Sequence, residues 1–134
     1  MAVQYLAFIP AHLAPILALC ETQGWPSLPA DPARAGRALT APGVTTVVAL
    51  DADEVIGFAT LLSDGEIDAY LSALLVAESH RRQGIGRTLI DVGYRRTGAT
   101  RVDLLAADGT DDFYARVPHR RFSGFRLHLD TAGR

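Results

Sequence analysis

The run Arg81-Arg82-Gln83-Gly84-Ile85-Gly86-Arg87 constrains this chain more than any other stretch, because it joins an apolar strand-like segment to a helical pattern. Leu71-Ser72-Ala73-Leu74-Leu75-Val76 leads into it, and Ile85, Leu89, Ile90 and Val92 carry the pattern beyond. Strand, glycine-bearing turn and helix together present several backbone N–H groups to one anion. The first turn of a helix has donors without internal partners, and its macrodipole is positive at that end. Glycines at 84 and 86 remove the side chains that would keep a phosphate from the backbone. Arg81, Arg82 and Arg87 add positive charge at the same place. The run reads as a pyrophosphate cradle. It is not the nucleoside-triphosphate loop, since no lysine follows Gly86, nor the dinucleotide fingerprint, since Leu89 stands where the third glycine belongs.

The rest of the chain alternates strands and helices. Val3–Ile9 reads as a first strand, and His12–Gln23 as a helix with Leu13, Ile16, Leu17 and Cys20 on one face, ended by Gly24. Asp31 and Pro32 supply the N-cap and first-turn proline of a second helix running to Leu39. Thr45–Leu50 and Val55–Leu62 form a hairpin about Asp51-Ala52-Asp53-Glu54, and Glu66–Val76 is a third antiparallel strand. A helix over Arg81–Arg96 closes at Gly98. A strand over Arg101–Ala106, a short helix over Asp111–Arg116 and a closing strand over Gly124–Leu129 complete the order. The helix return places the 101–106 strand parallel to the one before it. At 134 residues without linkers, repeats or low-complexity tracts, the reading is a single domain over 1–134.

Val76–Ile90 closely resembles the R/Q-x-x-G-x-G/A motif of the GNAT superfamily of N-acetyltransferases. Gly57-Phe58-Ala59 resembles that family's G-x-A/G step, and Phe113-Tyr114 with Gly124-Phe125 its F-Y-x(n)-G-F signature. The gap between Tyr114 and Gly124 is longer than usual, holding Pro118, His119, Arg120 and Arg121. The resemblance covers nearly the whole chain. It implies an α/β fold with a mixed, mostly antiparallel sheet flanked by helices, splayed between the strands at 66–76 and 101–106. It further implies acetyl-CoA as cosubstrate, its pyrophosphate on Arg81, Arg82, Gln83, Gly84, Ile85, Gly86 and Arg87. Its pantetheine arm would enter the splay as an extra strand against the backbone near Leu74 and Val76.

Acetyl transfer from a thioester to an amine needs a neutral amine, a polarised carbonyl and a protonated leaving thiolate. By resemblance, Tyr114 is the acid. For the base, strand alternation sets Glu66, Asp68, Tyr70 and Ser72 on one face, so Asp68 or Glu66 is the candidate, or an acceptor-site carboxylate. Some relatives carry a carboxylate where Tyr70 stands. His80 precedes the cradle at a position the family often fills with an aromatic, which points to packing. No Ser-His-Asp arrangement and no metal-ligand spacing is identifiable. Without an activated nucleophile, the mechanism expected is direct attack in a ternary complex.

The acceptor is an amine, with a lean toward a small cationic molecule from Glu66 and Asp68. A formal net charge of −2 argues against nucleic acid as partner. No stretch has the length of a transmembrane helix. The lone Cys20 excludes an intrachain disulfide and suits a reducing cytoplasm. The resemblance leaves a homodimer open. Two alternatives stand beside the enzyme: an acyl-CoA-binding sensor or regulatory module without catalysis, and an assembly partner on a borrowed scaffold.

Overall fold

The β-branched runs flanking Asp51-Ala52-Asp53-Glu54 pair as a hairpin, β2 (Val44–Asp51) against β3 (Glu54–Ser63). Its two-residue loop holds Ala52 at φ 49° and Asp53 at φ 69°. That left-handed geometry matches the twist of the strands, but alanine adopts it at a cost. The computed structural model describes residues 2–130. They fall into two compact units, the first ending at Asp103 and the second beginning at Leu104.

In the first unit, β1 (Gln4–Ala7), β2, β3, β4 (Asp68–Val76) and β5 (Arg101–Asp103) lie in chain order across one sheet. Each neighbour runs antiparallel except β4 and β5, which are parallel as the helix return requires. Helices α1 (Leu13–Thr22) and α2 (Pro32–Leu39) cover one face, and α3 (Ile85–Thr97) covers the other. Successive β2 residues show the division: Val48 joins the core with Ile16, Cys20, Leu39 and Phe58, while Val47 faces Gly93 of α3. Asp31 caps α2 as expected, accepting from the Arg34 N–H at 3.1 Å with Pro32 in the first turn. Cys20 is fully buried, and desolvation raises its thiol pKa.

Three boundaries depart from the sequence reading. Glu66 lies outside β4, because the Asp64 carboxylate accepts from the N–H groups of Glu66, Ile67 and Asp68 at 2.8, 2.8 and 3.3 Å and makes that stretch a turn. The helix expected from Arg81 begins at Ile85, since Arg82 and Gly84 both have positive φ. β5 ends at Asp103 rather than Ala106, so it pairs only with Asp68, Ala69 and Tyr70. The splay between the two strands is therefore present, with Leu71–Val76 of β4 running on past the end of β5.

The second unit contains α4 (Asp111–Ala115). Leu105 lies against Gly124, where a Cβ would come within 2.3 Å of its Cδ2. No strand forms over Gly124–Leu129. Phe125 and Leu127 are 82% and 71% exposed, so the alternating apolar face is not buried against a core as a strand of this pattern requires.

Close packing of α3 on the sheet depends on Gly57 of β3. A Cβ there would meet the Leu75 carbonyl oxygen at 3.0 Å and Leu89 of α3 at 3.2 Å. Gly57→Val is expected to cost about 1–3 kcal/mol through overpacking. Urea denaturation with an unchanged midpoint would contradict this account of the packing.

Candidate functional site

β4 ends at Val76 and passes through a 3₁₀ turn (Glu78–His80) into the Arg81–Gly84 turn and then α3. Arg81 is extended at φ −71° and ψ 159°, Arg82 is left-handed at φ 64°, and Gly84 is left-handed at φ 78°. The chain thus turns from an extended residue through left-handed ones into a helix start whose first N–H groups have no intrahelical partner, an end suited to an anion. Gly84 is the N-cap of the 13-residue α3, and no side chain caps that end. The Thr88 N–H and hydroxyl both donate to the Gly84 carbonyl, at 3.0 and 2.9 Å. The first-turn N–H groups, at Ile85, Gly86 and Arg87, therefore precede the first intrahelical bond. A Cβ on Gly84 would meet nothing within 4 Å. Glycine is required there for its φ and for leaving the approach open, not for packing.

The arginines divide their work. Arg82 and Arg87 are exposed, Arg87 sharing a loose 3.4 Å pair with Asp91. Arg81 is committed to the fold: its Nε donates to the Val76 carbonyl at 3.2 Å, and its terminal nitrogen to the Gln23 side chain at the end of α1. Gln83 is exposed within the turn, and Ile85 is buried beneath it.

The edge of β4 adds a second set of donors. The Ala77 N–H donates to the Ile56 carbonyl at 2.7 Å, so that end of β4 faces β3 at Ala77 and Leu75. By two-residue alternation, Leu74 and Val76 turn their N–H groups the other way, toward the side that β5 has left. Backbone donors on an open strand edge can hold an amide-bearing extended chain, and one of them can polarise a carbonyl.

Tyr114 lies on α4 in the second unit, its ring edge-on to Phe113 at 4.9 Å. Burial pushes its phenol pKa above the ordinary value, which keeps it protonated and able to donate. Thr110 and Asp108 sit in the turn before α4, and the Thr110 hydroxyl donates to the Ala107 carbonyl at 2.6 Å.

Neither candidate base is brought to this edge. Asp68 is six residues from Leu74, about 20 Å along an extended strand, and accepts from Arg101 Nε at 3.0 Å. Glu66 is exposed in the turn before it. What the sequence hid is a chain of bonds beside the cradle. His80 Nε2 meets Asp51 Oδ2 at 2.7 Å, and its Nδ1 meets Ser79 Oγ at 2.7 Å. His80 is thus hydrogen-bonded rather than merely packed. The partners are 29 residues apart, and only the strand order, which sets the β2–β3 turn beside the end of β4, brings them together. Among the described residues, no group of three or more His, Cys, Asp or Glu is placed to hold a metal ion, and no helix is long and apolar enough to cross a membrane.

The carboxyl of Asp103 has a raised pKa because it hydrogen-bonds to Asp68, with desolvation and the nearby Asp68 charge adding to the effect and Arg101 opposing it. A raised carboxyl binds its proton more tightly folded than unfolded, so stability contributed there is present at low pH and lost as pH rises through the folded value. Asp103→Asn keeps the hydrogen bond without the charge. It is expected to raise the thermal midpoint at about pH 7, with the gain disappearing near about pH 3, where carboxyls are protonated in both states. An equal shift at both pH values would rule out a titrating pair.

Residues 11–117 match the family model described as the acetyltransferase (GNAT) family. No curated relative matches the chain. Among solved structures, the chain is similar to a Trypanosoma brucei acetyltransferase, with 20% identity, 96% of this chain and 100% of that chain covered, and a TM-score of 0.75. It is also similar to the ribosomal-protein-alanine N-acetyltransferase of Brucella melitensis biovar Abortus 2308, at 17% identity, 96% and 99% coverage and a TM-score of 0.76. A third similar structure is the aminoglycoside N-acetyltransferase AAC(6')-Iy in complex with CoA, at 18% identity, 95% and 93% coverage and a TM-score of 0.78.

Proposed function

Because the chain belongs to the GNAT acetyltransferase family, we propose that its 134 residues act as one domain that transfers an acetyl group from acetyl-CoA to a primary amine. The observation that carries this reading is the pair of donor sets flanking one turn: an uncapped helix start with left-handed residues before it, and an open strand edge on the other side of the turn. A diphosphate fits the first and an extended amide-bearing arm fits the second. The N–H groups of Gly84–Arg87, with Arg82 and Arg87, would hold the diphosphate, while Arg81 keeps the turn attached to Val76. Leu74 and Val76 would hold the arm. Acetyl-CoA supplies an activated acetyl thioester.

The remaining groups divide the chemistry. A backbone N–H near Leu74 stabilises the oxyanion as the amine attacks, a contribution on the order of a hundredfold for one such donor. The protonated Tyr114 phenol donates to the departing thiolate, and the amine gives up its proton to solvent. No carboxylate on β4 is assigned the base role, since Asp68 is engaged by Arg101 at the far end of the strand. Direct attack in a ternary complex follows from the lack of an activated nucleophile at this edge. The lone cysteine suits a reducing compartment, the cytoplasm.

Calorimetric titration with acetyl-CoA tests the reading, with Gly84→Glu as control. Saturable binding to the wild type is expected, and its loss in the variant, because a carboxylate at a helix N-terminus occupies the anion position and cancels its charge. Equal binding by both proteins would remove the cradle assignment. Tyr114→Phe is expected to lower kcat about a hundredfold while leaving KM for acetyl-CoA within a few-fold, the pattern of a lost general acid. Steady-state kinetics showing an unaltered kcat would make Tyr114 a structural residue.

A further inference from the structure

We infer that Asp51 is a positioning residue for the anion cradle: acting through His80, it holds the Arg81–Gly84 turn in the left-handed conformation that leads into the uncapped start of α3. The inference rests on reading that turn as the phosphate site. Asp51 ends β2 at the hairpin loop, and His80 ends the 3₁₀ turn that leads into the cradle. Their side chains are each 18% exposed and meet at 2.7 Å. A proton on Nε2 donates to Asp51, and Nδ1 pairs with the Ser79 hydroxyl. The other Asp51 oxygen, Oδ1, is buried and without a hydrogen-bond partner. Loss of the His80 donor would therefore strand a mostly buried carboxylate.

The cradle needs an anchor on this side. Arg82 holds a left-handed conformation without being glycine, and such residues persist only where their surroundings over-determine them. Downstream, Ile85 and Leu89 fix α3 to the sheet. Upstream, two adjacent residues are tied down: Arg81 to Val76 and Gln23, and His80 to Asp51. Asp51 itself directly precedes Ala52 and Asp53, both left-handed. The pair thus couples two turns of unfavourable geometry, and neither can relax without breaking the 2.7 Å bond between them.

The test compares wild type with His80→Gln, whose amide N–H can replace Nε2–H, and His80→Phe, which keeps a ring but has no donor. Amide hydrogen exchange of the ligand-free proteins is read over residues 81–87 and over β2 and β3, followed by acetyl-CoA titration and kinetics. In the Phe variant, exchange over 81–87 is expected to rise about tenfold and acetyl-CoA to bind about tenfold more weakly, with kcat within twofold and β2–β3 protection unchanged. The Gln variant is expected to keep wild-type values. Wild-type exchange over 81–87 in the Phe variant would overturn the inference, as would equal disturbance by Gln and Phe. A wild type that fails to bind acetyl-CoA would sink the phosphate reading alone, because the exchange comparison still decides whether Asp51 positions the turn.

Discussion

The divergence of β5 from β4 is the constraint on which the rest depends. β4 is paired on both sides only at Ala69 and Tyr70, and from Leu71 onward one edge has lost its neighbour. In a folded core an open edge of this kind leaves backbone donors needing partners. Here the unpaired length points along the strand to a helix start that also lacks a cap. The two sets of donors flank the Ala77–Arg81 stretch, whose N–H groups at Ala77, His80 and Arg81 bond within the protein, so a ligand spanning both would meet one set at each end of that turn. β3 holds this strand in the sheet, since its antiparallel pairing with β4 resumes after the irregularity at Thr60 and Leu61 and continues to Gly57 and Val76 without help from β5.

Much of this was legible in the residues themselves. Arg81–Gly86 announces a turn between strand and helix because glycine, charge and apolar period change together over six positions. The β2–β3 hairpin, the Asp31 cap and the Gly98 stop, left-handed at φ 79°, follow from equally local chemistry. What was not legible is set by contacts distant in sequence or by competition for the same N–H. Alternation put Glu66 on a strand, whereas the Asp64 side chain claims the N–H groups that a strand would need. Asp68 looked like a free carboxylate until Arg101 arrived beside it on β5. Phe125, Leu127 and Leu129 have the period of a strand, yet a period specifies a neighbour without supplying one. His80 read as a packing residue because its partner, Asp51, lies on another hairpin altogether.

The cradle also shows how polar groups near a ligand site are allotted. Of the three arginines that mark it, all exposed, the one that opens the motif is tied to the protein, bridging Val76 and Gln23, while Arg82 and Arg87 make no such bridge. The backbone conformation is thereby fixed by side chains that bond within the protein. This arrangement separates geometry from charge: the turn is shaped by Arg81 and His80, and its potential by the helix end and the exposed guanidinium groups.

Cys20 gives this division a chemical counterpart. It is the chain's only thiol, fully buried on the inner face of α1, and desolvation favours its protonated form. Thioesters exchange readily with thiolates, so an accessible ionised cysteine would compete with an amine for the acyl group and accumulate as self-acylated protein. Placing the single thiol in the core closes that side reaction for the proposed transfer without any residue at the β4 edge having to prevent it.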